Sequence, residues 1–537
     1  MKALTLLSIA SLAAVTAFNS AAQEQPRRPP PPGNTPNQVL TNEELDQRLQ
    51  TIIEDHSLTP ITQNSTSLPS INGDIAQLGK KLFFTKSLGG EQSVACASCH
   101  HPTLGGGDDL SLSVGIEAVD QLDVTNHDLL GHGRFNGAHS TNMPVVPRNA
   151  PTTFNLGLFI DKLFWDGRIE SARNGGIITP ESERNSNNRR RADRSLPENT
   201  TLAAAQSRFP VTSVEEMRGD FQASSNGAQL RSALVARLNN QLEDISGTWE
   251  TEFESAFGDA TISVDRVFHA LGEYQRSMQF TDSPWNDYLN GNLNALNEEQ
   301  KSGAVLFFTA RNEGGAGCAG CHSNQNFSNE RHHLTAYPQI GSGKGNQTDS
   351  STTQDFGREN VTLNDQDRFH FRTPTLLNVE VTAPYGHTGA YASLEEVIRH
   401  YDNPRLAIDR LFASNGVTPF VTGTAPYCQL PQIADLMSKN GIACEDVFAN
   451  SYSNSIEVVS YLERVNAGSV EARAPLRPRR PLNEQQVTQL ASFLRALTDP
   501  CVKDRSCLSP WIIDGNDVAT FPDINPQVAI DRNGNEL

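Results

Sequence analysis

Residues 93–101 read SVACASCHH. Cys96 and Cys99 stand three apart, His100 follows at once, and His101 comes next. Three chemistries use such a pair. A zinc half-site requires further Cys or His at ligand spacing. A redox dithiol requires the Cys-x-x-Cys alone. A c-type haem requires both thiols, as thioethers to its vinyl groups, and the trailing His as an axial ligand of the iron.

The rest of the chain decides among them. Residues 79–100, GKKLFFTKSLGGEQSVACASCH, are echoed by residues 303–322, GAVLFFTARNEGGAGCAGCH. Each copy runs Gly, two residues, Leu-Phe-Phe-Thr, a Gly-rich loop, then Cys-x-x-Cys-His. Apolar residues at helical spacing accompany both, Ile75, Leu78 and Leu82 in one and Val305 and Phe308 in the other. Asn297 with Gln300 predicts an N-cap for the second helix. Two copies of the motif inside a repeat assign both to haem c. The anchors are Cys96, Cys99, Cys318 and Cys321, and the axial ligands are His100 and His322. His101 is expected at the surface.

The chain starts MKALTLLSIASLAAVTAFNSAAQ, with Lys2 before a short apolar run and small residues placed for cleavage after Ala22. Residues 1–22 read as a secretory signal peptide, which implies export to the periplasm, where disulfides persist. No other segment reads as a membrane span. Residues 23–40 form a Pro-rich linker. The net charge of -19 over 537 residues excludes nucleic acid as a partner and permits a basic protein. ERNSNNRRRADR, residues 183–194, is locally basic and reads as an exposed, solvated insertion, with a docking patch as the less favoured alternative. Four cysteines lack a trailing His, and local disulfides Cys428–Cys444 and Cys501–Cys507 are the expectation for them.

RNAPTTFN (148–155), FWDGR (164–168), FPVTSVEEM (209–217) and FRTPTLLNVEVTAPYGHTGAYASLEEVIRHYD (371–402), set around the two haem motifs, resemble the bacterial dihaem cytochrome c peroxidases and their MauG relatives. The resemblance spans about residues 70–500. It implies that the N-terminal haem is the peroxide site, with Gln206, Pro210 and Glu216 over its distal face. Glu216 is the expected acid–base catalyst, because splitting a peroxide O–O bond needs a group that takes a proton from one oxygen and returns it to the other. Trp165 matches the tryptophan that the family places between its haems. A distal histidine of the family's peroxidases would align with Thr141. His132, His139 and Met143 are alternatives, and an open position is the MauG pattern.

At the C-terminal haem the family's peroxidases carry Met as second axial ligand. The aligned residue here is Tyr401, as in MauG-type enzymes, with His400 as its rival. The resemblance also implies a calcium ion held by Asn149, Thr382 and Pro384. The C-terminal DRNGNE (531–536) reads as disordered. His387 receives no role.

The expected fold is mostly α, with two cytochrome c-like haem domains and long loops. Residues 41–290 would hold the peroxidatic haem, 291–500 the electron-transfer haem, and 501–537 a disulfide-tied tail. The implied activity is reduction of hydrogen peroxide with electrons from a small cytochrome or cupredoxin. The alternatives are peroxide-dependent oxidation of a partner protein's side chains and plain electron transfer without catalysis.

Overall fold

The computed structural model describes residues 40–62, 68–138, 142–240, 249–345, 353–413, 425–520, 524–531 and 533–537. The expected signal peptide and residues 23–39 of the linker lie outside them, as do Thr141 and His139.

The repeat sets the architecture. In the first copy the helix Asp74–Phe84 buries Leu78, Leu82, Phe83 and Phe84 and packs on the helix Val264–Ser277. In the second copy Glu298–Phe308 packs on Glu484–Arg495. Asn297 caps it in a reciprocal box with Gln300, as the sequence predicts. The repeated glycine has the same task in both. A Cβ at Gly79 would stand 2.0 Å from the Ala270 carbonyl oxygen, and one at Gly303 1.9 Å from that of Gln489. Only glycine lets the paired helices come this close.

Each helix delivers its Cys-x-x-Cys-His loop into its own apolar core. Leu82, Phe84 and Ala97 belong to one core, and Phe307, Phe308, Ala316 and Ala319 to another. A third core, around Ile408, Phe412 and Leu462, encloses the Cys428–Cys444 disulfide. Helix is the main regular structure of the described residues, with sheets of only two or three short strands. Among them no helix is long and apolar enough to cross a membrane.

The cores exchange elements across the expected segments. Leu49, Ile52, Trp285 and Tyr288 pack into the core of the second motif. Val502, Leu508, Ile512 and Ile524 of the C-terminal tail pack into the core of the first. Residues 42–537 form one unit accordingly. The tail begins at the Cys501–Cys507 disulfide and ends with Val528–Ala529 paired parallel to Leu129–Leu130. Its final stretch is a defined turn rather than a disordered end: Asp531 accepts hydrogen bonds from the backbone amides of Asn533 and Asn535.

Candidate active site

Local hydrogen bonds fix both histidines. After Cys96 the chain makes one tight turn, in which the His100 amide donates to the Cys96 carbonyl at 3.1 Å. His100 Nδ1 then lies 3.1 Å from the Gly106 carbonyl. A carbonyl only accepts, so Nδ1 carries the proton and Nε2 is left as the ligating atom. His322 repeats the arrangement, with its amide 2.9 Å from the Cys318 carbonyl and Nδ1 2.9 Å from that of Phe327. Burial holds His100 below its usual titration range and His322 at about 4. Both imidazoles are therefore neutral, the form that binds iron.

One apolar cleft joins the two motifs. Cys96, Cys99 and His100 line it from one side, Cys321 and His322 from the other. Burial pushes the Cys96 and Cys99 thiols up to about 12 and Cys318 to about 11. A redox dithiol needs the opposite, a lowered pKa. Among the described residues no group of three or more His, Cys, Asp or Glu is placed to hold a metal ion. Two pairs of free cysteines, each with a neutral histidine whose Nδ1 is tied back, on one apolar cleft, fit two covalently anchored haems.

The same cleft gathers the other predicted residues. Gln206 comes from the helix Leu202–Ser207, and Pro210 follows it. Glu216 lies on the π-type turn Val214–Arg218, a rare conformation that concentrates at functional sites. It lines the cleft with its side chain a quarter exposed, 3.9 Å from Arg168 Nη2, and its charge bears on both His100 and Cys99. Glu215 points elsewhere, exposed and hydrogen-bonded to Ser213 Oγ. Trp165 lines the cleft and donates from Nε1 to the Asn149 carbonyl at 2.9 Å. Asn149, Thr382 and Pro384 line it too, and Asn149 Nδ2 donates to the Leu110 carbonyl.

Tyr401 and His400 separate cleanly. Tyr401 faces the cleft, and burial, with Cys321 and Cys318 nearby, pushes its phenol above the usual range. His400 is fully buried with both ring nitrogens engaged, Nδ1 to Tyr391 Oη and Nε2 to the Thr335 carbonyl, each at 2.9 Å. No nitrogen remains for a metal. His132 and Met143 do not line the cleft. His132 pairs with Asp109 at 2.9 Å, and Met143 packs on the third core.

The sequence profile of the family described as di-haem cytochrome c peroxidase matches residues 74–294. Over that stretch the chain is similar to the dihaem cytochrome c peroxidases and their MauG relatives. It is 26% identical over 366 residues to the cytochrome c551 peroxidase of Nitrosomonas europaea, covering 67% of this chain and 83% of that one. It is 25% identical over 336 residues to the methylamine utilization protein MauG of Methylophilus methylotrophus, covering 63% and 74%. A solved MauG-like protein associated with microbial copper homeostasis aligns at a TM-score of 0.49 and 20% identity, over 85% of this chain and 97% of that one. These relatives are oxidoreductases of the dihaem peroxidase type, a family that implies two haem c groups.

Three features of the cleft and its surroundings escape the sequence. Arg148 is buried and bidentate to Asp355 at 2.5 and 2.8 Å, with a third bond to Asp166 at 2.7 Å. Burial works against the charge on Asp355, yet Arg148 holds its carboxyl below the usual range. Arg148 and Asp166 stand inside quoted motifs, but Asp355 lies 207 residues from Arg148 and carries no local signal. Lys344 also lines the cleft, lowered by Arg168 first and then by burial. His101, expected at the surface, is buried at 1% exposure and lowered to about 3 by burial, because the tail returns over it. Gln527 Nε2 in that tail donates to Ser98 Oγ inside the first motif at 2.8 Å.

Proposed function

We propose that the protein reduces hydrogen peroxide in the periplasm at the side of the cleft carrying His100, using electrons that enter by the side carrying His322. The haems, when bound through Cys96/Cys99 and Cys318/Cys321, supply the redox-active irons. His100 Nε2 would hold one iron, and His322 Nε2 with the Tyr401 oxygen the other. Glu216 takes a proton from one peroxide oxygen and hands it to the other, which leaves as water; two further protons from solvent and two electrons complete two waters. A carboxylate that is neither fully exposed nor fully buried suits both halves of that transfer. The Gln206 amide donates a hydrogen bond that orients the oxygen being protonated. Trp165, pinned by its hydrogen bond to Asn149, stands on the electron path. Asn149, with the carbonyls of Thr382 and Pro384, would hold a calcium ion through oxygen donors.

The observation that carries this reading is Glu216 sharing the cleft with His100 while its neighbour Glu215 does not. Glu216→Gln is expected to lower peroxide turnover by roughly 10²–10⁴-fold at unchanged haem content, with Glu215→Gln close to wild type. Equal turnover in the Glu216 variant would contradict its assignment as the acid–base group, and no peroxide turnover by the wild type would leave a plain electron-transfer cytochrome. The ordinary electron donor in this reading is a small cytochrome or cupredoxin.

A second reading rests on Tyr401, which faces the cleft where the family's peroxidases carry Met. It takes the electrons from side chains of a partner protein, in the MauG manner. Peroxide consumption that requires no added donor, with oxidised residues appearing on a co-exported protein, would favour it.

A further inference from the structure

We propose that the arginine hairpin 183–194 is a docking platform for a partner protein with an acidic surface, which it brings to the turn carrying Trp165. The proposal rests on the reading that this cleft exchanges electrons with a protein.

The hairpin grows out of the sheet that carries Trp165. Lys162–Leu163, Ile169–Ser171 and Ile177–Ile178 pair antiparallel, and the turn between the first two strands holds Trp165, Asp166 and Arg168. The chain leaves the third strand straight into residues 183–194. These are not a loose solvated loop. The Asn185 amide donates to the Arg189 carbonyl, and Asn185 Oδ1 accepts from the amides of Asn187 and Arg189. Asn188 closes the turn at φ +60°. The Arg191 amide donates to Glu183, and that of Asp193 returns to Ile177 of the sheet at 2.7 Å. Arg184 Nη2 reaches across 177 residues to the Val361 carbonyl. The hairpin is built and clamped at both ends.

What it presents is positive charge. Five arginines stand against Glu183 and Asp193, and Asp193 is already bonded to Thr179 Oγ1 and Ser195. Arg189, Arg191 and Arg194 are exposed, and none of them makes an ion pair among the described residues. Arg184 and Arg190 hydrogen-bond only to backbone carbonyls. Arg190 faces inward. Burial and then Arg184, Arg358 and Arg168 lower its titration, and Asp166 partly offsets them. The positive rim therefore runs from the exposed hairpin to the Trp165 turn. The carboxylates facing it are mostly spoken for: Asp166 by Arg148 and Arg168, Glu170 by Arg358. On a chain of net charge -19 such a rim repels basic partners locally and attracts acidic ones. The surface charge total alone permits a basic partner; the site reverses that expectation.

The test uses the full-length holoprotein and labelled poly-L-glutamate as probe, with monomeric glutamate beside it. Wild type is expected to bind the polymer with an affinity that falls steeply as salt is raised. Arg189→Glu/Arg191→Glu/Arg194→Glu should bind about tenfold or more weakly, within the usual range of electrostatic steering, and the corresponding Ser variant should fall between. In turnover the Glu variant should raise the KM for hexacyanoferrate(II) and leave kcat with an uncharged donor unchanged. Equal polymer binding by wild type and both variants would overturn the proposal, and so would glutamate binding as tightly as its polymer. Charge-dependent polymer binding by a wild type that turns over no peroxide with any donor would sink the peroxidase reading and leave the docking platform standing.

Discussion

The two copies of the repeat agree in everything that builds a haem pocket and differ in what surrounds it. Gly79 and Gly303 permit the same helix approach. His100 and His322 are tied back through Nδ1 to a carbonyl six and five residues on. Around His100 the cleft adds an amide, a carboxylate and two cations: Gln206, Glu216, Arg168 and Lys344. Around His322 it adds the phenol of Tyr401 within a cluster of Tyr337, Tyr391 and His400. One half carries a carboxylate, an amide and two cationic side chains. The other carries phenols that burial holds protonated. A shared scaffold with divergent walls gives one repeat two chemically different surroundings.

The largest expected effect after loss of Glu216 joins the halves. Arg148 and Asp166 come from the first, Asp355 from the second, all buried. Arg148→Ala leaves the buried Asp355 carboxylate without its cation and Asp166 with Arg168 alone, and should cost about 3–5 kcal/mol in denaturant unfolding. The pH dependence has a definite sign. Both carboxyls are held below their ordinary range, so the stability they contribute is present above about pH 4, the unfolded value, and is lost as pH falls below it. The Arg148→Ala variant should lose the Asp355 part of that acid slope and keep the part that Arg168 gives Asp166. A wild-type melting temperature that stays flat from pH 6 down to pH 3 would remove the network as a tie between the halves.

Each half also has its disulfide, and these should differ modestly. Cys428–Cys444 closes 16 residues and Cys501–Cys507 closes 6. Loop-closure entropy assigns them about 3 and about 2.4 kcal/mol. Paired Cys→Ser variants should rank in that order. The reverse order would mean that the tail's attachment to the first core, rather than loop closure, sets the cost. Smallest and most symmetric is the glycine pair. Gly79→Ala and Gly303→Ala should each cost about 1–3 kcal/mol by forcing the helices apart. A large difference between the two would break the equivalence of the scaffolds.

Much of this was legible in the sequence where the cause is local. The Cys-x-x-Cys-His loops, the Asn297 cap and the apolar spacing of Leu78 and Leu82 each depend on residues within a few positions of one another, and each appears as read. The resemblance placed Gln206, Glu216, Trp165 and Tyr401, all of which line the one cleft. What escaped depends on distant chain returning. His101 is buried because the tail, more than 400 residues on, covers the first motif. Asp355 finds Arg148 across 207 positions. The arginine insertion reads as solvated because composition cannot reveal the Arg184 bond to Val361 or the hydrogen-bond ladder inside it. His400 and Tyr401 stay rivals in sequence; the sequence does not reveal that both ring nitrogens of His400 are taken by hydrogen bonds while Tyr401 lines the cleft.

The measurement that bears most directly on the asymmetry of the two sites is the EPR spectrum of the all-ferric holoprotein in wild type, Tyr401→Phe and Glu216→Gln. Two distinct ferric haem signals are expected in wild type. Tyr401→Phe should change one of them and spare the other, and Glu216→Gln should leave the Tyr401-dependent signal untouched. Two signals that survive Tyr401→Phe unchanged would mean that the phenol does not reach the iron, and the division of labour between the halves would have to be abandoned.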